Sequence, residues 1–264
     1  SQGNVHIAWT DCRDGNCEIY YKKLNNNGNV LVNDVRLTSA NGWSEDPSLD
    51  IDNQGNLHLA WSDGRDGGYG EIYYKKLNNN GAVLVNDLRL TYASGWSEDP
   101  SLDIDNQGNV HIAWMDGRNS QYINGEIYYT KLNNNGNTLV DDLRLTFNGL
   151  IIGFNTFLAY YPSLAVDSQG NVHIVWQDGR NSSISEGRFT IYYTKLNNVG
   201  NILVDNLMLT PVTQSAHDPS LAIDSQGNLH LAWSDNREGT YWATAGEIYY
   251  KKLNNNGNTL VNDT

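Results

Sequence analysis

The sequence has few cysteines, few prolines and no long apolar run. Two Cys and five Pro stand among 264 residues, and no run of about eighteen apolar residues occurs, so we expect no membrane insertion. Basic residues are also scarce, because 17 Lys and Arg face 30 Asp and Glu, a formal charge of −13 at pH 7. A phosphate-binding surface needs clustered basic side chains. Nucleic acid is therefore not expected as a partner.

Helical periodicity is lacking as well, and what the chain has instead is a repeat. A Gln-Gly-Asn turn is followed by an apolar segment ending in Trp-x-Asp-x-Arg, then Ile-Tyr-Tyr, Lys-Leu and an Asn-rich turn. Copies recur at a period of about 53 residues, which is typical of arrays of equivalent supersecondary units. The opening glutamines are Gln2, Gln54, Gln107, Gln169 and Gln226.

Each unit has the pattern of four short strands. Apolar and polar residues alternate over 100–105 and 109–114, and β-branched and aromatic residues fill 126–132 and 138–146. Four-stranded antiparallel sheets repeated radially make a β-propeller. A closed sandwich would use similar strands but would not need the same turns five times. The sequence therefore predicts an all-β propeller of five repeats.

The first blade is expected to lack one strand. The Asp-Pro-Ser-Leu type of first strand occurs at Asp46, Asp99 and Asp218 and, with Tyr in place of Asp, at Tyr161, whereas the other strand types occur five times. The chain is thus predicted to be a single propeller that is a fragment, a processed chain or one with a short first blade, and the native blade number stays open. The predicted units are 1–45, 46–98, 99–160, 161–217 and 218–264.

Cys12 and Cys17 flank a loop that the other copies close without cysteine. A disulfide here would constrain the unfolded chain by about 2 kcal/mol and indicates an oxidising, extracellular or cell-surface setting. Two unpaired cysteines are the alternative, and a metal pair is disfavoured because no further His or Cys lies nearby in sequence.

Loop lengths vary at only one rim of the predicted propeller, the rim that holds the second-to-third and fourth-to-first connections. Variable loops on a rigid scaffold commonly bind ligands, and these loops carry aromatic side chains suited to stacking on sugars. Capping of the core at the seams between blades is the alternative role. Arg188, the one Arg outside the recurring positions, joins them. The ligand-binding candidates are Trp43, Tyr69, Trp96, Tyr122, Tyr160, Arg188, Tyr241 and Trp242.

The recurring polar residues are interpreted as structural. The Asp-x-Arg pairs could bind anions or sugars, but fivefold recurrence favours ties within the fold, for example to the recurrent Glu18. Five histidines share one strand position, which a propeller disperses, so no metal site is predicted. Asp50-x-Asp52-x-x-Gly55-Asn56 is similar to a calcium loop but lacks a closing Glu. No cofactor is predicted, and calcium is kept as a minor alternative.

The third-to-fourth turns resemble the Asp box of the sialidase-like propellers. They contain Leu24-Asn25-Asn26-Asn27-Gly28-Asn29-Val30-Leu31 and its four copies. The cadence Pro-Ser-Leu-x-x-Asp, Gly-Asn-x-His and Trp-x-Asp-x-Arg is similar to repeats of secreted and cell-surface proteins of that superfamily, many without known activity. A sialidase would carry Arg-Ile-Pro, three convergent Arg and a Tyr/Glu pair. The chain has no Arg-Ile-Pro, so no catalytic residue is carried over.

Three functions follow from these features. The main prediction is a non-catalytic extracellular module that binds glycans through the aromatic rim, since repeats supply like groups many times and an active site needs unlike groups once. A glycan-processing enzyme, a sialidase-like hydrolase or a lyase, is the first alternative, with Glu186 and Glu238 as a carboxylate pair. A structural or adhesive cell-surface repeat is the second. The expected partner is a glycan or an extracellular protein, with self-association left open.

Overall fold

The computed structural model describes residues 3–92, 94–118, 125–147, 159–181, 188–213, 215–237 and 246–264. These residues form nineteen strands in five antiparallel sheets, one sheet for each repeat. The predicted β-propeller is confirmed, including a first blade of three strands. No helix within these ranges is apolar and long enough to cross a membrane.

Strand order within every blade follows the chain. Blade 1 contains β1 (Val5–Asp11), β2 (Glu18–Leu24) and β3 (Val30–Arg36). Blade 2 contains β4 (Ser44–Ile51), β5 (Leu57–Asp63), β6 (Glu71–Leu77) and β7 (Val83–Arg89). Blade 3 contains β8 (Ser97–Ile104), β9 (Val110–Asp116), β10 (Glu126–Leu132) and β11 (Thr138–Arg144).

The last two blades repeat this plan. Blade 4 contains β12 (Ala159–Val166), β13 (Val172–Asp178), β14 (Thr190–Leu196) and β15 (Ile202–Met208). Blade 5 contains β16 (Ala216–Ile223), β17 (Leu229–Asp235), β18 (Glu247–Leu253) and β19 (Thr259–Val261). The first strand of each four-stranded blade begins two residues before the unit starts predicted at 46, 99, 161 and 218.

The apolar core lies between neighbouring sheets, so no blade buries its faces alone. At the seam of blades 2 and 3, Ala60, Ile72 and Tyr74 pack against Ile112 and Trp114, all fully buried. The same contact recurs at the other seams. Burial of apolar area of this kind is the main stabilising contribution to such arrays.

Polar contacts tie the first strands of successive blades together. Ser48 Oγ accepts a hydrogen bond from the Leu102 N–H at 2.9 Å, and Ser101 Oγ accepts one from the Leu164 N–H at 2.9 Å. Ser163 Oγ does the same for the Leu221 N–H at 3.0 Å. Strands β4, β8, β12 and β16 therefore stand side by side around a common axis.

Candidate functional site

The four first strands share a β-bulge at the residue that precedes proline. Strand pairing skips this residue in each blade, for example between Glu45 and Ser48 of β4. Its φ is positive, a region that residues with a Cβ rarely occupy, and such strain at equivalent positions points to function. The residues and angles are Asp46 (51°), Asp99 (53°), Tyr161 (50°) and Asp218 (51°).

These four bulged residues converge on one cavity at the propeller axis. The cavity has a volume of about 350 Å³, and its wall is completed by the Pro that follows each bulge and by the next Ser in blades 2, 3 and 4. We call it the central funnel, meaning the space lined by residues 46–48, 99–101, 161–163, 218 and 219. Because the bulges lie near the start of the first strands, the funnel lies at the rim that carries the variable loops.

The residue before each bulge differs from blade to blade. Blades 2 and 3 place Glu45 and Glu98 there, blade 4 places Tyr160, and blade 5 places His217. Next to the funnel wall, blades 2 and 3 therefore place carboxyl groups, and blades 4 and 5 place a phenol and an imidazole. The repeat places these residues at equivalent backbone positions, but their side chains differ between the blades.

Among the funnel residues, Asp99 has a strongly raised pKa. Burial raises the pKa of its carboxyl to about 7, and the negative charges of Asp46, Glu98 and Asp218 contribute to this rise. Burial also raises the pKa values of Asp46 and Glu98, with neighbouring carboxylates adding to the effect at Glu98. Near neutral pH, Asp99 can thus hold a proton at its carboxyl group.

The aromatic side of the funnel is built at the seam of blades 4 and 5. The ring of Phe189 lies 6.3 Å from that of Tyr160 and 5.3 Å from that of His217, centroid to centroid. Ser215 Oγ and His217 Nε2 are 2.8 Å apart. Burial raises the pKa of Tyr160 to about 12 and lowers that of His217, so both side chains are neutral at pH 7.

Gln177 connects the two sides of this seam. Its Oε1 accepts a hydrogen bond from the Asp218 N–H at 2.8 Å, and its side chain is buried. The equivalent positions in other blades hold Ser62, Met115 and Ser234. A long amide side chain thus stands where the strained backbone of Asp218 needs an acceptor.

A second acid pair lies further along the first strands, four residues beyond the bulges. Asp103 accepts hydrogen bonds from the Val166 N–H at 2.7 Å and the Ile104 N–H at 2.8 Å. Burial raises its pKa to about 7, and the charge and hydrogen bond of Asp50 oppose its ionisation as well. Blades 4 and 5 have Ala165 and Ala222 at this position, so the pair belongs to blades 2 and 3 alone.

Three of the predicted aromatic ligands lie on loops near the first strands and have different surroundings. Trp43 packs flat on the loop of its own blade, because a Cβ added at Gly64 or Gly70 would lie 2.6 Å from its ring. Tyr69 is 55% exposed and its ring lies edge-on to that of Trp96, with 5.8 Å between centroids. Trp43 therefore packs within its own blade, and Tyr69 with Trp96 forms an open aromatic pair.

The remaining predicted ligands divide into two groups. Tyr160 lies beside the funnel, and Arg188 donates a hydrogen bond from Nη1 to the Thr213 carbonyl at 3.1 Å. The others lie outside the described residues. They are Tyr122, Tyr241 and Trp242, together with the carboxylates Glu186 and Glu238 of the enzyme alternative.

The Asp-x-Arg pairs are internal ties. In blade 2, Arg65 donates from Nε and Nη2 to both oxygens of Asp63 at 2.8 and 2.7 Å, and from Nη1 to Asp87. The Trp61 indole N–H donates to the same Asp63 at 2.7 Å. The recurrent Glu has another partner, since Glu71 accepts from Arg89 at 2.7 Å. These contacts agree with the structural interpretation of the Asp-x-Arg pairs. The recurrent Glu, however, binds the Arg at the end of the last strand of its blade and not the Arg of the Asp-x-Arg pair.

The repeated histidines form separate hydrogen-bonded triads. His58 lies between Tyr74, whose hydroxyl is 2.8 Å from Nδ1, and Asp52, whose carboxylate is 3.2 Å from Nε2. Asp52 also accepts the N–H groups of Gln54 and Asn56 at 2.9 and 2.8 Å, which closes the turn resembling a calcium loop. Within the described ranges no three His, Cys, Asp or Glu are grouped as metal ligands.

The predicted disulfide joins Cys12 to Cys17 in the second-to-third loop of blade 1. The Cys17 carbonyl accepts a hydrogen bond from the Ser44 N–H at 2.8 Å. The disulfide therefore constrains the loop of blade 1 that contacts the first strand of blade 2.

Comparison with known proteins identifies the fold through solved structures. No protein-family model and no curated protein sequence matches the chain. Similar structures include a family 25 polysaccharide lyase, an ulvan lyase bound to -[GlcA(1-4)Rha3S]-, with a TM-score of 0.66 and 13% identity over 97% of this chain and 68% of that one.

Two glycoside-cleaving enzymes are also similar. A thermostable family-43 glycoside hydrolase has a TM-score of 0.60 and 10% identity over 100% of this chain and 90% of that one. An endo-arabinase from Bacteroides thetaiotaomicron has a TM-score of 0.57 and 15% identity over 95% and 89%. The neighbours are propellers that act on glycans and are not specifically sialidase-like.

The main functional prediction from the sequence, a non-catalytic binding module, is wrong. The structural neighbours are glycan-cleaving enzymes, which favours the enzyme alternative. The symmetry argument behind the prediction also fails, because equivalent first-strand positions converge at the axis and carry Glu, Tyr and His. Sequence reasoning missed the funnel, although the Asp-to-Tyr change at Tyr161 was a visible signal.

Proposed function

We propose that the protein is a glycan-processing enzyme that hydrolyses glycosidic bonds in the central funnel. The observation that carries the proposal is Asp99, whose carboxyl has a pKa of about 7 among other carboxylates. Glycoside hydrolysis uses one protonated and one ionised carboxyl group, and unlike environments are what separate two such groups. Asp99 and Asp218, whose charge is one of the causes that raise the pKa of Asp99, are the two carboxyl groups of this mechanism.

The roles follow from protonation and position. Asp99 donates its proton to the leaving oxygen as the bond from that oxygen to the anomeric carbon breaks. Water adds to the same carbon, and its proton passes to the carboxylate of Asp218, which is exposed and held by Gln177. Asp46 adds negative charge near the sugar ring, which becomes positively charged in the transition state. Such preorganised charge stabilises the transition state and lowers the activation barrier for hydrolysis.

Tyr160, Tyr161 and Phe189 suit the binding of the sugar beside these acids. Tyr161 is 47% exposed at the bulge of blade 4, and its ring lies 6.0 Å from that of Tyr160. Aromatic faces bind the apolar faces of sugars with little loss of conformational freedom. The acidic side of the funnel would then act on a sugar oriented by the aromatic side.

The test is turnover of a panel of polysaccharides, measured as new reducing ends. Asp99→Asn should lower the rate by about 100-fold or more, in the range of general acid catalysis. The control is Asp141→Asn, which changes an exposed carboxylate on β11 outside the funnel and should retain the wild-type rate. Equal loss in both variants, or turnover that Asp99→Asn leaves intact, contradicts the proposal.

The setting of this activity is part of the proposal. The Cys12–Cys17 disulfide supports an extracellular or cell-surface location, where polysaccharides are the natural partner. The Asp-box-like turns support a relationship of these repeats to those of the sialidase-like propellers. Measuring free thiols in the secreted protein, with and without reductant, tests the first of these points.

A further inference from the structure

The positive charges of the chain are used inside the fold rather than at the funnel. In the described ranges, Arg and Lys side chains repeatedly bind carboxylates of their own blade, as Arg118 binds Asp116 at 2.6 Å and Lys75 binds Asp87 at 2.8 Å. The wall of the funnel contains no Lys or Arg within these ranges. The guanidinium and ammonium groups are thus committed elsewhere.

Within the described ranges, the carboxylates at the funnel have no such partner. No Lys or Arg of these ranges forms an ion pair with Asp46, Asp99 or Asp218 of the funnel wall, or with Glu45 or Glu98 next to it in the sequence. Burial is the main cause of the raised pKa values of Asp99 and Glu98, and the negative charges of neighbouring carboxylates, Asp46 among them, raise both further. A further negative charge brought into this space meets the same repulsion.

A cavity lined by one sign of charge concentrates its field, because its walls have a low dielectric constant. Repulsion between like charges a few ångströms apart is strong there and weak in open solvent. A carboxylate or sulfate on the sugar at the cleavage site would therefore be excluded.

We propose that the funnel cleaves glycans that carry no negative charge on the sugar at the cleavage site. The inference rests on the proposed hydrolase function and narrows its substrate class. The predicted substrates thus differ from the charged glycan -[GlcA(1-4)Rha3S]- that is bound to the structurally similar ulvan lyase. A shared fold does not determine the charge of the substrate. The basis is the juxtaposition of Asp46, Asp99 and Asp218 with no counter-ion among the described residues.

The experiment compares one glycan in three charge states. A neutral polysaccharide that the enzyme cleaves is oxidised at its primary hydroxyls to carboxylates, and part of that product is converted to the methyl ester. At low salt the oxidised form should be cleaved at least about tenfold more slowly, a difference of about 1.4 kcal/mol. The methyl ester should recover most of the rate, which separates charge from shape.

Two further readouts identify the source of the discrimination. Raising the salt to about 1 M, where screening acts within about 3 Å, should shrink the difference, and Asp46→Asn should shrink it at low salt. Equal or faster cleavage of the oxidised form overturns the inference and leaves the hydrolase proposal standing. If no glycan is cleaved, the hydrolase proposal fails. In that case the inference is tested by binding, and equal binding of neutral and oxidised oligosaccharides, or no binding of either, overturns it.

Discussion

Gln177 in blade 4 accepts a hydrogen bond from the backbone N–H of Asp218 in blade 5, with 2.8 Å between Oε1 and N. The bond crosses a seam and supports a residue with a φ of 51°. It links a buried side chain to an exposed residue of the funnel wall. The backbone of Asp218 thus receives a hydrogen bond acceptor that the repeat pattern does not supply.

Gln177→Met is expected to lower kcat/KM by about three- to thirtyfold, because the loss of one hydrogen bond to a buried partner costs roughly 1–2 kcal/mol. The measurement is initial rate against concentration of a neutral glycan, with the fold monitored by circular dichroism. Met115→Leu changes the equivalent position of blade 3, where the side chain cannot make such a bond, and should retain the activity. Unchanged kcat/KM in Gln177→Met would show that Asp218 needs no such support.

The activity should fall as pH rises through about 7, because Asp99 must be protonated to donate its proton. Asp46 is the largest charge effect on Asp99 after burial. Asp46→Asn should therefore move this limb to lower pH, by up to about one unit. Profiles of kcat/KM between pH 4 and 9 test this, with Asp141→Asn as control. A limb that stays in place in Asp46→Asn would place the titrating group elsewhere.

Blades 2 and 3 should lose stability as pH rises from the ordinary Asp value of 3.8 to about 7, the raised pKa of Asp103. Below this window both folded and unfolded chains are protonated at Asp103, and within it only the unfolded chain ionises. Each unit of the shift corresponds to about 1.4 kcal/mol. The contribution of Asp103 to stability is therefore fully present below the window and lost through it.

Asp50→Asn should reduce this loss, because an amide can donate to Asp103 and removes a like charge. Its remaining oxygen can still accept the Ile51 N–H, which lies 2.7 Å from Asp50 in the wild type. The measurement is the unfolding midpoint in urea between pH 4 and 8. A pH dependence identical to the wild type would mean that Asp50 does not act on Asp103.

Removing the disulfide should destabilise the protein by about 2 kcal/mol through the freedom gained by the unfolded chain. The double variant Cys12→Ser with Cys17→Ser is expected to unfold at lower temperature than the wild type, and reductant should affect only the wild type. Glycan cleavage should persist, because the loop of blade 1 is not part of the funnel wall. Loss of cleavage in a folded double variant would tie blade 1 to the site.

The fold was largely predictable from local pattern. Alternation along 100–105 and 109–114 predicted β8 and β9, and the recurring turns predicted radial repetition. The start of β8 differs by three residues, since the strand begins at Ser97 and the apolar alternation begins at 100. Pairing with Asp116 extends the strand there, and pairing across strands cannot be read from one segment alone.

Tyr160 and the rim were predicted, but the residues of the funnel wall were not, and the reason is geometric. Equivalent positions on the second strands, such as His58 and His111, lie far apart around the propeller. Reasoning from these positions suggested that equivalent residues do not contact one common site. Positions on the first strands converge, because these strands lie at the axis. The sequence places Glu98, Tyr160 and His217 at one such position, but convergence depends on the packing of whole blades.

The most direct test of the central funnel as the site is a crystal structure of Asp99→Asn with a neutral oligosaccharide bound. A sugar ring is expected between the substituted side chain, Asp218 and Tyr161, with the scissile oxygen within about 3 Å of the new amide group. A sugar seated only on the outer loops, with the funnel filled by water, would contradict the assignment of the funnel as the site.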